Sequence, residues 1–295
     1  MSWGLFWQAM LSGISNSFIY ALIGIGIAVI FKGTKVINAM QGEFAVVGGI
    51  VTVFALNSFG VPYIISGLLG VAAGALLGLV VDILFVRPMM ARKAGEESFL
   101  LLTIGLAFTL SAATLYFVGR DSYLLPGIGG PGVVEMFDAF IPIHAYWLVA
   151  VALVVVVALK LFYSRSLTGL AMAATSIDPI GAATNGINVT LMRTYTFVLG
   201  GAIGALAGIL VTPLVSMNYH MGIALTLKGF AAAILGGLAN PLGAVAGGLV
   251  IGVSEALAVI GISSGYKDVA AMVVMIVVMI VLPNGILGRA GRRGG

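Results

Sequence analysis

The chain is written almost throughout in long uncharged runs, over 44–81, 98–119, 139–159, 194–227, 229–254 and 269–288. About twenty apolar residues cross the hydrocarbon core of a bilayer, so each run is of membrane-spanning length. The first is too long for one helix and breaks at the turn residues of 57–62, and Asn240-Pro241 divides the apolar sequence after Lys228. The pattern predicts spans near 8–31, 36–56, 63–85, 98–118, 144–162, 193–214, 223–238, 242–260 and 267–287. The segment 223–238 is short, which leaves open a re-entrant helix and eight crossings in place of nine. The first thirty residues have no basic n-region and their apolar run continues too far for a signal peptide, so they read as the first membrane helix. The expected fold is an all-α polytopic membrane bundle, one transmembrane domain over 1–295.

Composition agrees with that class. The chain is 61% hydrophobic and 8% charged, where a soluble domain carries about 25% charged residues. Many of its 42 glycines recur four apart: Gly70, Gly74 and Gly78; Gly200, Gly204 and Gly208; Gly243 with Gly247, and Gly248 with Gly252. Residues four apart share a helix face, so these rows let helix backbones approach closely. Phe44-Ala45 before Gly48-Gly49 faintly echoes Phe230-Ala231 before Gly236-Gly237, as internal repeats of transporters do.

The basic residues set the orientation. With nine spans, Lys32, Lys35, Arg87, Arg92, Lys93, Lys160, Arg165, Arg193, Arg289, Arg292 and Arg293 fall on one side, and Arg120 and Lys267 on the other. The positive-inside rule then puts the N-terminus outside, the C-terminus in the cytoplasm, the loop 164–192 in the cytoplasm and the loop 119–143 outside.

Several chemistries have no residues to carry them. There is no G-x-x-x-x-G-K-[ST], and no lysine is followed by Ser or Thr, so the chain has no P-loop for ATP. Cysteine is absent, which removes thiolate metal sites and disulfides. His144 and His220 are far apart in sequence, and no metal site is expected. No H-E-x-x-H or G-x-S-x-G appears.

Two polar features stand out of the apolar background. Asn38-Ala39-Met40-Gln41-Gly42-Glu43 opens the second span, and polar groups there mark either a translocation pathway or a helix clamp. Gly42 would allow a helix break with backbone freed toward a cavity. Alternatively Glu43, about two turns from Lys35, caps the helix near the cytoplasmic surface. Glu255 is a second pathway candidate, although bonding across helices or snorkelling explains it as well. Lys228 reads as an interface anchor, and Asp82 beside Arg87 as a surface pair.

The second feature is the polar stretch 164–193. Leu167, Leu170, Ala171, Ala174 and Ile177 recur at helical spacing and predict a helix. Asp178-Pro179 reads as an N-cap followed by proline at the first helical position. A short helix over 179–185 then stops at Gly186, a left-handed C-cap. Helices that rest on anionic lipid carry Lys and Arg on the polar face. None lies between Leu167 and Met192, which favours a protein partner.

Three blocks resemble a known family, the permease subunits of branched-chain amino-acid ABC importers of the H-subunit type. VINAMQGEFAVVGGI at 36–50 is similar to the family's I-N-F-A-x-G-E stretch. The A-x-x-x-x-D-x-x-A-A-x-x-x-G-I-N pattern within 169–188 resembles its ATPase-coupling loop. KGFAAAILGGLANPLGAVAGGLVIGVSE at 228–255 is similar to its K-x-F-x-A-x-x-L-G-G-L-G-x-x-x-G-A. Ala39 stands where the family usually has an aromatic residue, and Met172 where a basic one is common. The resemblance implies an inner-membrane permease paired with a second homologous permease or a copy of itself, two cytoplasmic ATP-binding subunits and an external substrate-binding protein. ATP and Mg would be held by the ATPases, with no cofactor on this chain. Coupling would fall to Asp178, Pro179, Ala182, Ala183, Asn185, Gly186, Ile187 and Asn188. The cargo would be a branched-chain amino acid, urea or a short amide. The other reading is an autonomous secondary carrier or channel, which needs ionisable groups near the midplane. An enzyme acting on lipid has no nucleophile or metal constellation to support it.

Overall fold

The computed structural model describes residues 3–282 and 285–287, so Arg289, Arg292 and Arg293 lie outside the described residues. Its helices are α1 (Trp3–Thr34), α2 (Gln41–Asn57), α3 (Tyr63–Val81), α4 (Arg87–Ala91), α5 (Glu96–Val118), α6 (Ile143–Arg165), α7 (Leu167–Ile177), α8 (Pro179–Thr184), α9 (Val189–Val211), α10 (Met221–Gly236), α11 (Gly243–Gly261) and α12 (Lys267–Val281). Each of the nine predicted spans corresponds to an apolar helix. Seven are long enough to cross a membrane, with α3 and α4 joined as one rod, while α2 and α10 are shorter. Proline enforces two entries: Pro62 and Pro142 precede α3 and α6 in extended backbone.

The rod of α3 and α4 contains a π-helical turn over Asp82–Val86, where the Arg87 N–H bonds the Asp82 carbonyl five residues back. Pro88 follows at once. A proline ring clashes with the carbonyl four residues earlier, and the wider turn relieves that clash.

The core is two sets of three helices in matching arrangements. α1 packs most extensively on α11, and α3 on α9. α2 lies against α3 and α9, as α10 lies against α11 and α1, with α1 on α9 at the centre. Exchanging α1, α2, α3 for α9, α10, α11 reproduces these contacts. The two sets enter from opposite ends, an inverted repeat. The glycines face the crossings they permit. A β-carbon on Gly74 would meet the Gly201 carbonyl at 2.6 Å, and one on Gly248 the Ser17 carbonyl at 2.6 Å. Gly70 and Gly78 likewise face α2 and α9 backbone, while Gly200 faces α1 and Gly204 and Gly208 face α2. α5, α6 and α12 are peripheral and mostly exposed.

Gly208 gives a stability prediction. A side chain there would run into the Ala45 backbone, with the Ala45 Cα at 2.6 Å. Gly208→Val is expected to cost about 2–3 kcal/mol by overpacking, read as a lower melting temperature in detergent. Gly105→Ala, with open space around it, serves as the silent control.

One end of the bundle is basic: Lys32 lies over the Tyr163 ring at 4.4 Å, and Arg87 donates to Thr194 at 2.7 Å, joining the ends of α1, α6, α4 and α9. At the opposite end the loop between α5 and α6 is not simply irregular. It forms an antiparallel hairpin, β1 (Val133–Met136) with β2 (Ala139–Pro142), closed by Phe137 and Asp138, both at positive φ. The Gln8 side chain pairs with the Phe140 backbone in both directions, and Trp7 stacks on Phe137 at 4.8 Å. Beneath it, buried His144 accepts from the Ile128 N–H on Nδ1 at 3.1 Å and bonds the Leu210 carbonyl through Nε2 at 2.8 Å. Nδ1 is therefore the unprotonated nitrogen, and His144 clasps loop to bundle.

Candidate functional site

The candidate pathway begins where α1 stops. Thr34 ends the helix, Lys35 takes a left-handed φ of 59°, and residues 35–40 run non-helical into the bundle. The break therefore lies before Gln41, not at Gly42 as expected from its glycine. Gly42 serves close approach instead: a β-carbon there would overlap the Gly222 carbonyl. Gln41 donates to the Gly200 carbonyl at 2.8 Å, and Gly200 is midway along α9. The first turn of α2 thus sits half-way across the bundle.

The first turn of α10 meets it there. The Gly42 N–H donates to Thr226 Oγ1 at 2.8 Å, and Thr226 Oγ1 to the Gly222 carbonyl at 2.9 Å. Two short helices thus start at the same depth and run to opposite ends. α5 holds both approaches. Thr103 Oγ1 accepts from the Ala39 N–H at 3.1 Å and donates to the Ile37 carbonyl at 3.2 Å, while Ser111 Oγ donates to the Tyr219 carbonyl at 2.8 Å. Asn38, fully buried, donates to Gln41 Oε1 at 3.0 Å and accepts from the Met40 N–H at 3.2 Å. The N-cap residues of α2 and α10, Met40 and His220, supply no side-chain cap, and on α2 Thr226 takes the Gly42 N–H instead.

Glu43 lies at this junction and not at the surface. It is 1% exposed, neither carboxylate oxygen has a hydrogen-bond partner, and the carboxylate fills the space beside Gly222. Glu255 does not join it. Tyr20 donates to Glu255 Oε2 at 2.7 Å, and Lys228 pairs with Glu255 Oε1 and with Asp268 Oδ1, each at 2.8 Å. This network ties α1, α10, α11 and α12.

Asp82 also departs from expectation. It is fully buried, not part of a surface pair: Oδ2 accepts from Arg87 Nε at 3.1 Å and Thr194 Oγ1 at 2.6 Å, and Oδ1 from Arg193 Nε at 2.9 Å. Sequence spacing reports Arg87. It is blind to Arg193 and Thr194, which α9 brings across more than a hundred residues.

The loop at the basic end folds through its caps. Ser166 accepts from the Gly169 N–H at 3.4 Å to start α7, and Asp178 Oδ1 from the Ile180 and Gly181 N–H groups at 3.0 and 2.9 Å to start α8. α8 ends with Gly186 at φ 82°, its N–H on the Ala183 carbonyl at 3.0 Å and the Ile187 N–H on the Ala182 carbonyl at 3.1 Å. These two bonds make a Schellman closure. The Asn185 side chain donates to the Gly181 carbonyl at 2.8 Å, and Asn188 caps α9 through the Leu191 N–H at 3.0 Å.

α7 does not turn its apolar row inward. It buries Gly169, Met172 and Thr175, and leaves Leu167 86% and Ile177 85% exposed. Gly169 decides this, because a β-carbon there would strike the Phe162 carbonyl, with Tyr163 Cα at 3.0 Å. Only the face with the small residue fits against α6. On α8, Ile180 is 79% exposed. The apolar edge of this unit points away from the bundle.

An inverted pair of three-helix units, two short helices meeting inside it and a capped helical loop at one end define a multi-pass membrane protein of the transporter class. The chain belongs to the family described as branched-chain amino acid transport system, permease component, whose sequence model matches residues 9–282. It is 32% identical to the high-affinity branched-chain amino acid transport system permease protein LivH of Escherichia coli (strain K12), over 96% of each chain. To the probable branched-chain amino acid transport permease protein LivH of Methanocaldococcus jannaschii it is 29% identical, over 93% of this chain and 90% of the relative. A more distant relative, 25% identical over 88% of this chain and 75% of its own, is the galactofuranose transporter permease protein YtfT of Escherichia coli (strain K12).

Proposed function

We propose that this chain is the translocating subunit of an ATP-driven importer in a prokaryotic inner membrane, and that its cargo is a branched-chain amino acid. The basic end faces the cytoplasm, with the N-terminus outside and the C-terminus inside. Two ATP-binding subunits dock on α7 and α8, a second permease or a copy of this chain completes the pathway, and an external binding protein delivers cargo at the hairpin end. ATP and Mg belong to the ATPases, since no nucleotide motif occurs in this sequence.

The observation that carries the reading is α8: a six-residue helix fixed at both ends by Asp178 and Gly186, yet presenting Ile180 outward. An exposed apolar group on a rigidly capped helix fits a partner surface. Asp178, Pro179, Ala182, Ala183, Asn185, Gly186, Ile187 and Asn188 shape the helix, and Ile177 and Ile180 make the contact. Cargo passes the junction of α2 and α10, beside Asn38, Gln41, Gly42 and Glu43.

The names of the relatives support the amino-acid cargo, with urea or a short amide as alternatives. Reconstitution in liposomes tests the whole reading. Uptake of labelled leucine is expected only with the ATPases, the binding protein and ATP present. Uptake by this chain alone on an imposed ion gradient would overturn it in favour of a secondary carrier, for which Glu43 is the available midplane group.

A further inference from the structure

Among the described residues, one buried carboxylate has nothing to answer it. Glu43 is 1% exposed with both carboxylate oxygens unbonded, whereas Glu255 and Asp82 each meet at least one cation. Burying a charge without a partner is expensive, and intramembrane acids without one mark ligand sites. The second observation is independent of the first. α2 and α10 begin at this point, and neither N-cap residue, Met40 or His220, caps its helix; Thr226 Oγ1 takes the Gly42 N–H of α2, and among the described residues no side chain caps the first turn of α10. By contrast α7, α8 and α9 are capped by Ser166, Asp178 and Asn188. The first N–H groups of a helix have no partner within it, and each N-terminus carries roughly half a positive charge. The junction therefore sets one carboxylate beside two positive helix ends, a pattern of opposite charges a few ångströms apart.

We propose that this junction is a zwitterion site, in which Glu43 binds the α-ammonium of an amino acid and the first turns of α2 and α10 bind its α-carboxylate. The assignment rests on the importer reading above, and it names the chemistry the pathway selects. The site as a whole stays close to neutral when filled, because a zwitterion brings one charge of each sign. A lone metal cation fits less well. Among the described residues no three acids or histidines gather to hold one. An uncharged cargo such as urea would leave Glu43 unanswered.

The approaches to the site suit alternating access. Residues 35–40 lead to it from the basic end and are held by Thr103, while the segment after α9 leads from the opposite end and is held at Tyr219 by Ser111. Both holding residues lie on α5, eight residues apart, so a shift of one helix acts on both approaches.

The test uses the assembled transporter without the binding protein, whose own selectivity would mask that of the permease. Thermal unfolding is followed with L-leucine, with its 2-hydroxy analogue, which lacks the ammonium, and with leucinamide, which lacks the carboxylate. Leucine is expected to stabilise the wild-type complex and both analogues to bind more weakly. Removing one charge-assisted hydrogen bond from a buried site corresponds to roughly tenfold to hundredfold in affinity. Glu43→Gln is expected to erase the preference for leucine over the hydroxy analogue, and Glu43→Asp to retain part of it. Should Glu43→Gln fail to assemble, the three ligands on the wild-type complex decide the matter. Equal stabilisation by leucine and the hydroxy analogue, no stabilisation by leucine, or an unchanged preference in Glu43→Gln overturns the site. ATP-driven leucine uptake without ammonium selectivity overturns the site alone. Leucine binding without any ATP-driven uptake overturns the importer reading and leaves the site standing.

Discussion

Ile180→Glu is expected to lower ATP-driven uptake by the reconstituted transporter more than tenfold while leaving this chain folded and inserted. Ile180 is 79% exposed and in the first turn of α8, so no packing within the chain is lost. A glutamate at a helix N-terminus is, if anything, favourable to the helix. Its cost falls on the partner surface, where an apolar contact becomes a desolvated charge, and one such change at the centre of an interface is worth about 2 kcal/mol or more. Charged replacements of Gly186 or Ile187 act at the same place with a different mechanism. They disturb the positive-φ turn and the Schellman closure, so α8 itself is displaced. The readout is uptake set against ATP hydrolysis, together with a monodisperse profile in detergent. Uptake unchanged from wild type in Ile180→Glu would remove α8 from the coupling surface.

Asp82→Ala has the largest expected effect on stability. It strips the shared carboxylate from Arg87, Arg193 and Thr194 in a place where Asp82 is fully buried. Removing one member of a buried ion pair costs about 3–5 kcal/mol. The lower end applies here, because the Arg87 side chain is 36% exposed and can turn to water. A sharply lower melting temperature is expected. The double variant Asp82→Ala/Arg193→Met should recover part of the loss, since it removes the stranded charge as well as its partner. A melting temperature close to wild type in Asp82→Ala would show that the cluster contributes little.

These two sites differ in how far the sequence announces them. The caps of α8 are legible because capping acts within four residues: Asp178-Pro179 and Gly186 can be read without knowing what lies nearby. Asp82 shows only Arg87, five residues on. Its place against α9 depends on which face of the rod turns inward, and the π turn before Pro88 helps to set that. α7 hides its buried face from the sequence for a related reason. Its leucines and isoleucine make the conspicuous apolar face, but the approach to α6 is limited by backbone at Phe162 and Tyr163, and only Gly169 satisfies it. The row Gly169, Met172, Thr175 was the available signal, and small residues at helix spacing outweigh apolar ones where backbones must touch.

The sequence by itself determines the number, order and approximate ends of the apolar helices, the side on which the basic residues gather, and the short capped helices of the loop. All of these follow from hydropathy, charge and interactions between near neighbours along the chain. Tertiary structure alone decides that α2 and α10 start at the same depth, that Glu43 is enclosed between them without a partner, and that Glu255 is enclosed with one. The reason is the solvent. Lipid is as apolar as a protein core, so a membrane helix is hydrophobic on every side and its sequence does not say which side is buried. Only the contacts between distant helices, Gln41 with Gly200 and Gly42 with Thr226, place the polar residues with respect to one another.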